Sequence, residues 1–434
     1  MAAPLQARLR NWLEAHAAEL IAVLAELVRI PSVVGAEGPA QAFMAEQYRA
    51  CGLEMDVFEA DRAALRTLPA FVDSGFDFAG RPNVVAVWRG TGGGRSLILN
   101  GHSDVVSPEP LSGWRHPPFE AVIVPGGCYG RLYGRGAQDM KAGLIANLFA
   151  LRALQACGVR LKGDLILQSV IEEEAGGGGG TLACFARGYR ADGFIASEPH
   201  WHDICIAHVG VLYARIVVEG KSAHAGRAHQ GVNAALEALP ILAMLRDWDR
   251  ERAAALHVDA LERLDPTARR SCHLNVGVVR AGDWPSTVPG RAEIELRLSF
   301  VPGETEAQVK AELEARLAAV AQRSPWLREH PPRVEYFGWH TEPWLQDERH
   351  PFVQEFHDTL LALGVVQPPP ILAGVTAGLD TRFAGLFGVP ALAWGPRGAG
   401  LHGCDEHVEL DSVLDVALAL AVFAARWCGL AEAA

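Results

Sequence analysis

Two histidines and three carboxylates, each placed at the end of an apolar run, form a set able to hold divalent metal in this 434-residue chain: His102, Asp139, Glu174, Glu198 and His402. They lie in Gly101-His102-Ser103-Asp104, Gln138-Asp139-Met140-Lys141, Glu172-Glu173-Glu174-Ala175-Gly176, Ser197-Glu198-Pro199 and Leu401-His402-Gly403. Imidazole nitrogens and carboxylate oxygens are ordinary zinc donors, and this number suits a shared pair of ions that activates water for hydrolysis. His102 and Asp104 stand two apart at a strand end, so they point to one side. There Asp104 can take the second ring N–H of a metal-bound imidazole and fix its tautomer. Asp139 follows a glycine-rich stretch and precedes a helix whose first turn favours negative charge, so helix capping and metal bridging are both open to it. The run Glu172-Glu173-Glu174 is self-repelling unless cations or protons compensate. One of the three can bind metal while a neighbour acts as general base on bound water, and spacing leaves open which does which.

These residues need a scaffold. From residue 95 onward short apolar runs alternate with helical patterns: residues 97–99, a helix over 141–157, then runs at 165–171 and 193–196. That order predicts an α/β sheet, and Leu144, Ile145, Leu148, Leu151 and Leu154 give the helix an apolar stripe for it. The metal-type residues fall where strands end, as ligands do in open α/β sheets. Between residues 208 and 338 the rhythm becomes strand, helix, strand, strand, helix, strand, the split βαβ order of ferredoxin-like domains. A catalytic domain of residues 1–207 and 339–434 is thus expected to be interrupted by an inserted α+β lid of residues 208–338. None of the five ligand candidates lies in the insert. Within it, Ser222-Ala223-His224-Ala225-Gly226 forms a loop from which His224 can stabilise an oxyanion once the lid closes. The chain ends in an apolar helix, expected to start at Asp411 or Ser412 as N-cap.

Composition excludes several other functions. Half of the residues are apolar and 21% charged, as in a folded globular protein. A net charge of -12 without a Lys/Arg-rich run argues against nucleic acid as a partner. The longest apolar run, residues 416–425, is about half the ~20 residues needed to span a bilayer, so no membrane association is expected. The eight cysteines show no Cys-x-x-Cys pair and no framework spacing, and the N-terminus lacks a secretory pattern, which together predict a cytoplasmic protein with reduced, mostly buried thiols. The glycine runs at 90–94 and 176–180 fail as phosphate loops: the first precedes its strand, and the second lacks a Gly-Lys-Ser/Thr ending.

Taken together, Gly-His-Ser-Asp-Val-Val at 101–106, Pro117-Pro118-Phe119, Tyr133-Gly134-Arg135-Gly136-Ala137-Gln138-Asp139-Met140-Lys141, Glu173-Glu174-x-Gly176 and Ser222-Ala223-His224-Ala225-Gly226 resemble one family. It is the dinuclear-zinc amidohydrolase and metallopeptidase family of acetylornithine deacetylase, succinyl-diaminopimelate desuccinylase, aminoacylase and glutamate carboxypeptidase. The similarity runs from Ile30-Pro31-Ser32 to His402-Gly403-x-x-Glu406, nearly the whole chain. It implies a mixed-sheet, zinc-exopeptidase-like catalytic domain whose inserted domain also forms a homodimer, with His224 reaching into the partner's site. His102 and Glu198 are then implied to hold one zinc, Glu174 and His402 the other, and Asp139 to bridge them, with Glu173 as general base. A cis peptide at Asp139-Met140 is implied as well. Asp380 and Arg382 match a segment near the substrate, where Arg382 can grip a carboxylate with two parallel hydrogen bonds. Arg297 is a second candidate for that task, and Asn275 is expected to line the cleft. Cys404 replaces the proline of many relatives, and Glu198 stands where some have aspartate.

The expected reaction is hydrolysis of the amide bond of an N-acyl amino acid or related small amide by a metal-bridging hydroxide, with two Zn2+, or alternatively Co2+ or Mn2+, as cofactors. Dipeptidase or carboxypeptidase-type cleavage is the alternative.

Overall fold

A computed structural model describes residues 3–432. The chain divides into two compact units: the first comprises the chain up to Ile206, Gln346–Leu372 and everything from Leu379 on, and the second comprises Ala207–Leu345 and Ala373–Gly378. Relative to the expected 208–338, the second unit therefore also takes Ala207, residues 339–345 and the separate piece Ala373–Gly378. That piece enters through strand Ile371–Val375.

The first unit is built on a mixed sheet with strands in the order Glu54–Phe58, Asn83–Trp88, Leu165–Val170, Leu97–His102, Phe194–Ala196, Ala391–Ala393 and Asp203–His208. The four from Leu165–Val170 to Ala391–Ala393 run parallel, so their carboxyl ends open on one side. Strands Leu97–His102 and Leu165–Val170 are buried at every position, as expected where both sheet faces are covered. Helix Ala142–Ala156 carries the predicted leucine stripe, yet its opposite face is buried too. The terminal helix Leu410–Trp427 and helix Ala3–Ala15 pack on it, and a helix covered all round must be apolar all round. Leu410–Trp427 begins one residue before the expected cap, with Glu409 at the N-cap position. Asp411 instead accepts the Cys128 N–H at 3.0 Å, and the Ser412 hydroxyl accepts the Arg397 N–H at 2.9 Å.

A small second sheet in this unit joins Val122–Val124, Arg131–Tyr133, His407–Glu409 and Gly398–Ala399, all antiparallel. It ties the segment before Asp139 to the segment around His402. Strands of two or three residues leave no periodic trace in sequence, so pairing across such a separation was not foreseeable.

The inserted unit has an antiparallel four-stranded sheet in the order Leu274–Ala281, Arg291–Phe300, Gly210–Glu219 and Arg333–Thr341. Helices Ala234–Ala255 and Glu306–Ala321 cover one face, burying Ile216, Ile294, Leu296, Ile241, Leu245 and Leu313. Asn233 caps the first helix and a Thr305/Gln308 capping box starts the second, which fixes where each begins. Among the described residues no helix is long and apolar enough to cross a membrane.

Candidate metal centre

The parallel register carries the chemistry to one place. Leu97–His102 pairs with Leu165–Val170 through His102 opposite Val170, and with Phe194–Ala196 through Asn100 opposite Ala196. His102, the Glu173-Glu174 turn and Glu198 thus leave adjacent strand ends on the same side of the sheet. Gly143, near the start of helix Ala142–Ala156, lies so close to the Ser197 carbonyl that a methyl group would collide with it, so glycine lets the helix abut the strand end that delivers Glu198. Asp139 is not a helix cap. It has non-helical dihedrals, φ -111 and ψ 98, inside a wide turn over Ala137–Lys141, and the Asp139–Met140 peptide is cis.

Six side chains converge. His102 Nε2 is 3.2 Å from Asp139 Oδ1, and His402 Nε2 is 3.2 Å from Asp139 Oδ2. Glu174 Oε2 stands 3.1 Å from His402 Nε2, while Glu198 Oε1 and Glu173 Oε2 stand 3.8 and 3.9 Å from His102 Nε2. His102, Asp139 and Glu174 form one group able to hold a cation; His102, Glu173 and Glu198 form another. His102 Nδ1 donates to the main-chain carbonyl of Asp104 at 2.9 Å, with the Asp104 carboxylate farther off at 3.6 Å. The expected orienting acceptor is thereby corrected from side chain to backbone, because the Asp104 carboxylate turns to the Glu174 N–H at 3.0 Å. Either way the proton is held on Nδ1, which leaves Nε2 to face a metal.

The electrostatics identify what the cluster is made for. Burial lowers the His102 pKa, but the facing carboxylates of Asp104, Asp139, Glu198 and Glu173 outweigh it and raise it well above the ordinary imidazole value. Hydrogen bonds to Asp139 and Glu174 push His402 up to about 10. Burial, with repulsion from neighbouring carboxylates, raises Glu173, Glu174 and Glu198. Imidazoles and carboxyls shifted upward together mark a crowded negative site, whose repulsion divalent cations would relieve. The donor set therefore fits metal: the oxygens and nitrogens already face one another, and cations relieve the repulsion among them.

The remaining glutamate of the run, Glu172, has a left-handed backbone at φ 69 and its side chain is buried. Burial raises its pKa to about 7. It turns toward the positions of Gly179 and Phe78 and away from the cluster. The glycine run that follows is packed, not floppy. The Gly176 carbonyl takes the Arg382 Nη2 proton at 2.6 Å and the Gly179 carbonyl that of Asn83 at 2.7 Å. A methyl at Gly180 would strike the Ile171 carbonyl. Gly180→Ala is accordingly expected to cost roughly 1–3 kcal/mol through overpacking. The denaturation midpoint measures this, and an unchanged value would mean that Ile171 moves aside freely.

Arg382 and Asp380 are both buried. Arg382 also donates to the Leu379 carbonyl at 3.0 Å, so two of its N–H groups hold backbone. Burial raises Asp380 to about 6, and its charge is felt at Glu173 and Glu198. Glu406, four residues after His402, was given no role by sequence reasoning. Its carboxylate accepts the Gly136, Gln138 and Asp139 N–H groups at 3.0, 3.0 and 3.1 Å and pairs with Arg135 Nη1 at 2.7 Å. Lys141, also unforeseen, buries its Nζ against the Leu27 and Ile30 carbonyls at 3.1 and 2.8 Å at the end of helix Ala17–Arg29, and burial lowers its pKa to about 7. The available signal was an acid and a lysine flanking ligands in polar turns, which is too common to single out.

In the inserted unit, Asn275 and Arg297 are direct cross-strand partners, on the face opposite the helices. Arg297 Nη2 donates to the Thr376 carbonyl at 2.7 Å. His224 is exposed, and its Nδ1 accepts the Gly226 N–H at 3.0 Å, so a neutral ring carries its proton on Nε2.

Comparison with known proteins agrees with this assembly. Residues 98–426 match the model of peptidase family M20/M25/M40. The chain is 30% identical over 81% of its length to an N-formyl-4-amino-5-aminomethyl-2-methylpyrimidine deformylase of Halalkalibacterium halodurans, covering 84% of that protein. It is also 30% identical over 91% of its length to a succinyl-diaminopimelate desuccinylase of Paracoccus denitrificans, covering 94%. The fold matches an M20 family metallo-carboxypeptidase from Sulfolobus solfataricus with a TM-score of 0.73 and 18% identity, over 94% of this chain and 99% of that one. With a strand-end cluster of histidines and carboxylates inside the matched region, the chain belongs to peptidase family M20/M25/M40 and is a metal-dependent hydrolase.

Proposed function

We propose that the protein hydrolyses the amide bond of an N-acyl amino acid or a related small amide with two divalent ions, most fittingly zinc. His102 and Glu198 would hold one ion, Glu174 and His402 the other, and Asp139 both. The observation that carries this reading is the placement of Asp139, whose two oxygens each face a different imidazole at 3.2 Å. Two such ions, when bound, polarise the scissile carbonyl and lower the pKa of water. Glu173 takes the proton of the attacking water and passes it to the departing amine nitrogen. The names of the two relatives support acyl-group removal from small molecules.

The inserted unit is proposed as a lid and homodimer surface. Its edge strand Leu274–Ala281 exposes Val279 at 51%, and helix Ala234–Ala255 exposes Leu236 and Leu239 at 62% and 55%, apolar side chains that a partner subunit could cover. His224 would donate its Nε2 proton to the oxyanion, and Arg297 with Asn275 would receive polar substrate groups. Arg382 is assigned the support of the glutamate turn through the Gly176 carbonyl, with Asp380 beneath it as a buried acid. Five of the eight cysteines are buried, which agrees with the reduced thiols of a cytoplasmic protein.

A screen of N-formyl, N-acetyl and N-succinyl amines and amino acids alongside dipeptides tests the substrate class. Release of amine from acyl compounds is expected, and cleavage confined to dipeptides would move the assignment to a dipeptidase or carboxypeptidase. Chelation should abolish the activity and added Zn2+, Co2+ or Mn2+ restore it. Turnover that survives complete metal removal would sink the metal mechanism.

A further inference from the structure

We propose that Glu406 is a positioning residue that locks the two halves of the centre, the Asp139 turn and the His402 loop, into one register. The inference rests on the metal reading above. His402 is half-exposed at its side chain and has a left-handed backbone at φ 57, so packing alone does little to hold its ring. Asp139 lies in a turn where its own dihedrals and those of Met140 leave the helical pattern. Both are restrained through one carboxylate. Glu406 Oε1 accepts the N–H groups of Gln138 and Asp139 itself at 3.0 and 3.1 Å, and Oε2 accepts that of Gly136 at 3.0 Å. Oε2 also takes Arg135 Nη1 at 2.7 Å, and the same guanidinium donates through Nη2 to the His402 carbonyl at 3.1 Å. The Glu406 carbonyl accepts the Gly134 N–H at 2.9 Å, and Trp114 covers the guanidinium at 5.1 Å.

This geometry gives Glu406 a task distinct from stability. Its carboxylate and Arg135 are almost fully buried, at 1% and 2% exposure, and its two oxygens are engaged by three backbone N–H groups and the Arg135 guanidinium. Glu406 thus sets the distance and angle between Asp139 and His402 without occupying a place a metal would take. Charge-assisted bonds of this kind are short and directional, and groups that orient metal ligands are worth roughly 10- to 100-fold in metal affinity.

The test is titration of the metal-stripped full-length protein with Co2+, followed by visible absorption and by metal analysis, for the wild type, Glu406→Ala, Glu406→Gln and Arg135→Lys. Wild type should take up two equivalents. Glu406→Ala should bind Co2+ roughly 10- to 100-fold more weakly with an altered absorption band. Glu406→Gln, which retains an oxygen for two of the N–H groups, should recover part of the loss. Arg135→Lys should weaken the His402 side alone, seen as loss of one equivalent before the other. Melting of the metal-free proteins is measured in parallel; if Glu406→Ala does not fold, Glu406→Gln and Arg135→Lys decide by the same titration. Variants that bind two equivalents with wild-type affinity and spectrum would overturn the assignment, as would a loss confined to melting temperature. A wild type that binds no metal would instead overturn the functional reading beneath it.

Discussion

Glu173→Gln is expected to keep both metal equivalents and its substrate KM while losing about 10²- to 10⁴-fold in kcat, the usual contribution of a positioned general base. The amide matches the carboxylate in size but has no basic oxygen to accept the proton of water. Two features support the assignment: Glu173 follows a buried strand, and its Oε2 stands 3.9 Å from His102 Nε2, at the edge of the ligand cluster. Glu173 also groups with His102 and Glu198 as possible metal donors, so a rival role as ligand is specific and testable. Metal analysis separates the two. A Gln variant that loses one equivalent, with kcat falling in proportion to metal content, would make Glu173 a ligand and leave the base to another group.

Asp139→Ala should have the larger consequence, because its two carboxylate oxygens face both imidazoles at 3.2 Å. Metal content should drop from two equivalents to at most one, and kcat/KM by three orders of magnitude or more, which is about 4 kcal/mol of transition-state stabilisation. Bound metal also stabilises the folded state, by about 4 kcal/mol at a thousandfold excess over Kd. The wild-type melting temperature should therefore rise on metal addition, and that rise should shrink sharply in the variant. Calorimetry with and without Zn2+ checks this. An Asp139→Ala protein that still binds two equivalents would show the pair to be held without a shared carboxylate.

The glutamate run shows where local pattern was sufficient and where it was not. The strand ending at Val170 and the acids beyond it were legible because apolar burial and a polar exit are written in neighbouring residues. The division of labour among Glu172, Glu173 and Glu174 was not. A left-handed backbone at Glu172 turns that side chain away and presents the next two, a choice made by close packing of the glycine run against Ile171 and Asn83. Asp104 shows the same limit, since its place beside His102 followed from spacing of two, but whether carbonyl or carboxylate meets Nδ1 depended on the Glu174 N–H.

Sequence by itself determined the class of fold, the inserted split βαβ unit and the identity of the residues that gather at the strand ends, because periodicity and polarity act over a few residues. Tertiary structure alone decided the rest. Gln138 and Asp139 meet the Glu406 carboxylate across 268 and 267 positions, and Arg382 meets Gly176 across 206. Hydrogen bonds over such separations exist only after the backbone has closed, so no local pattern can encode them.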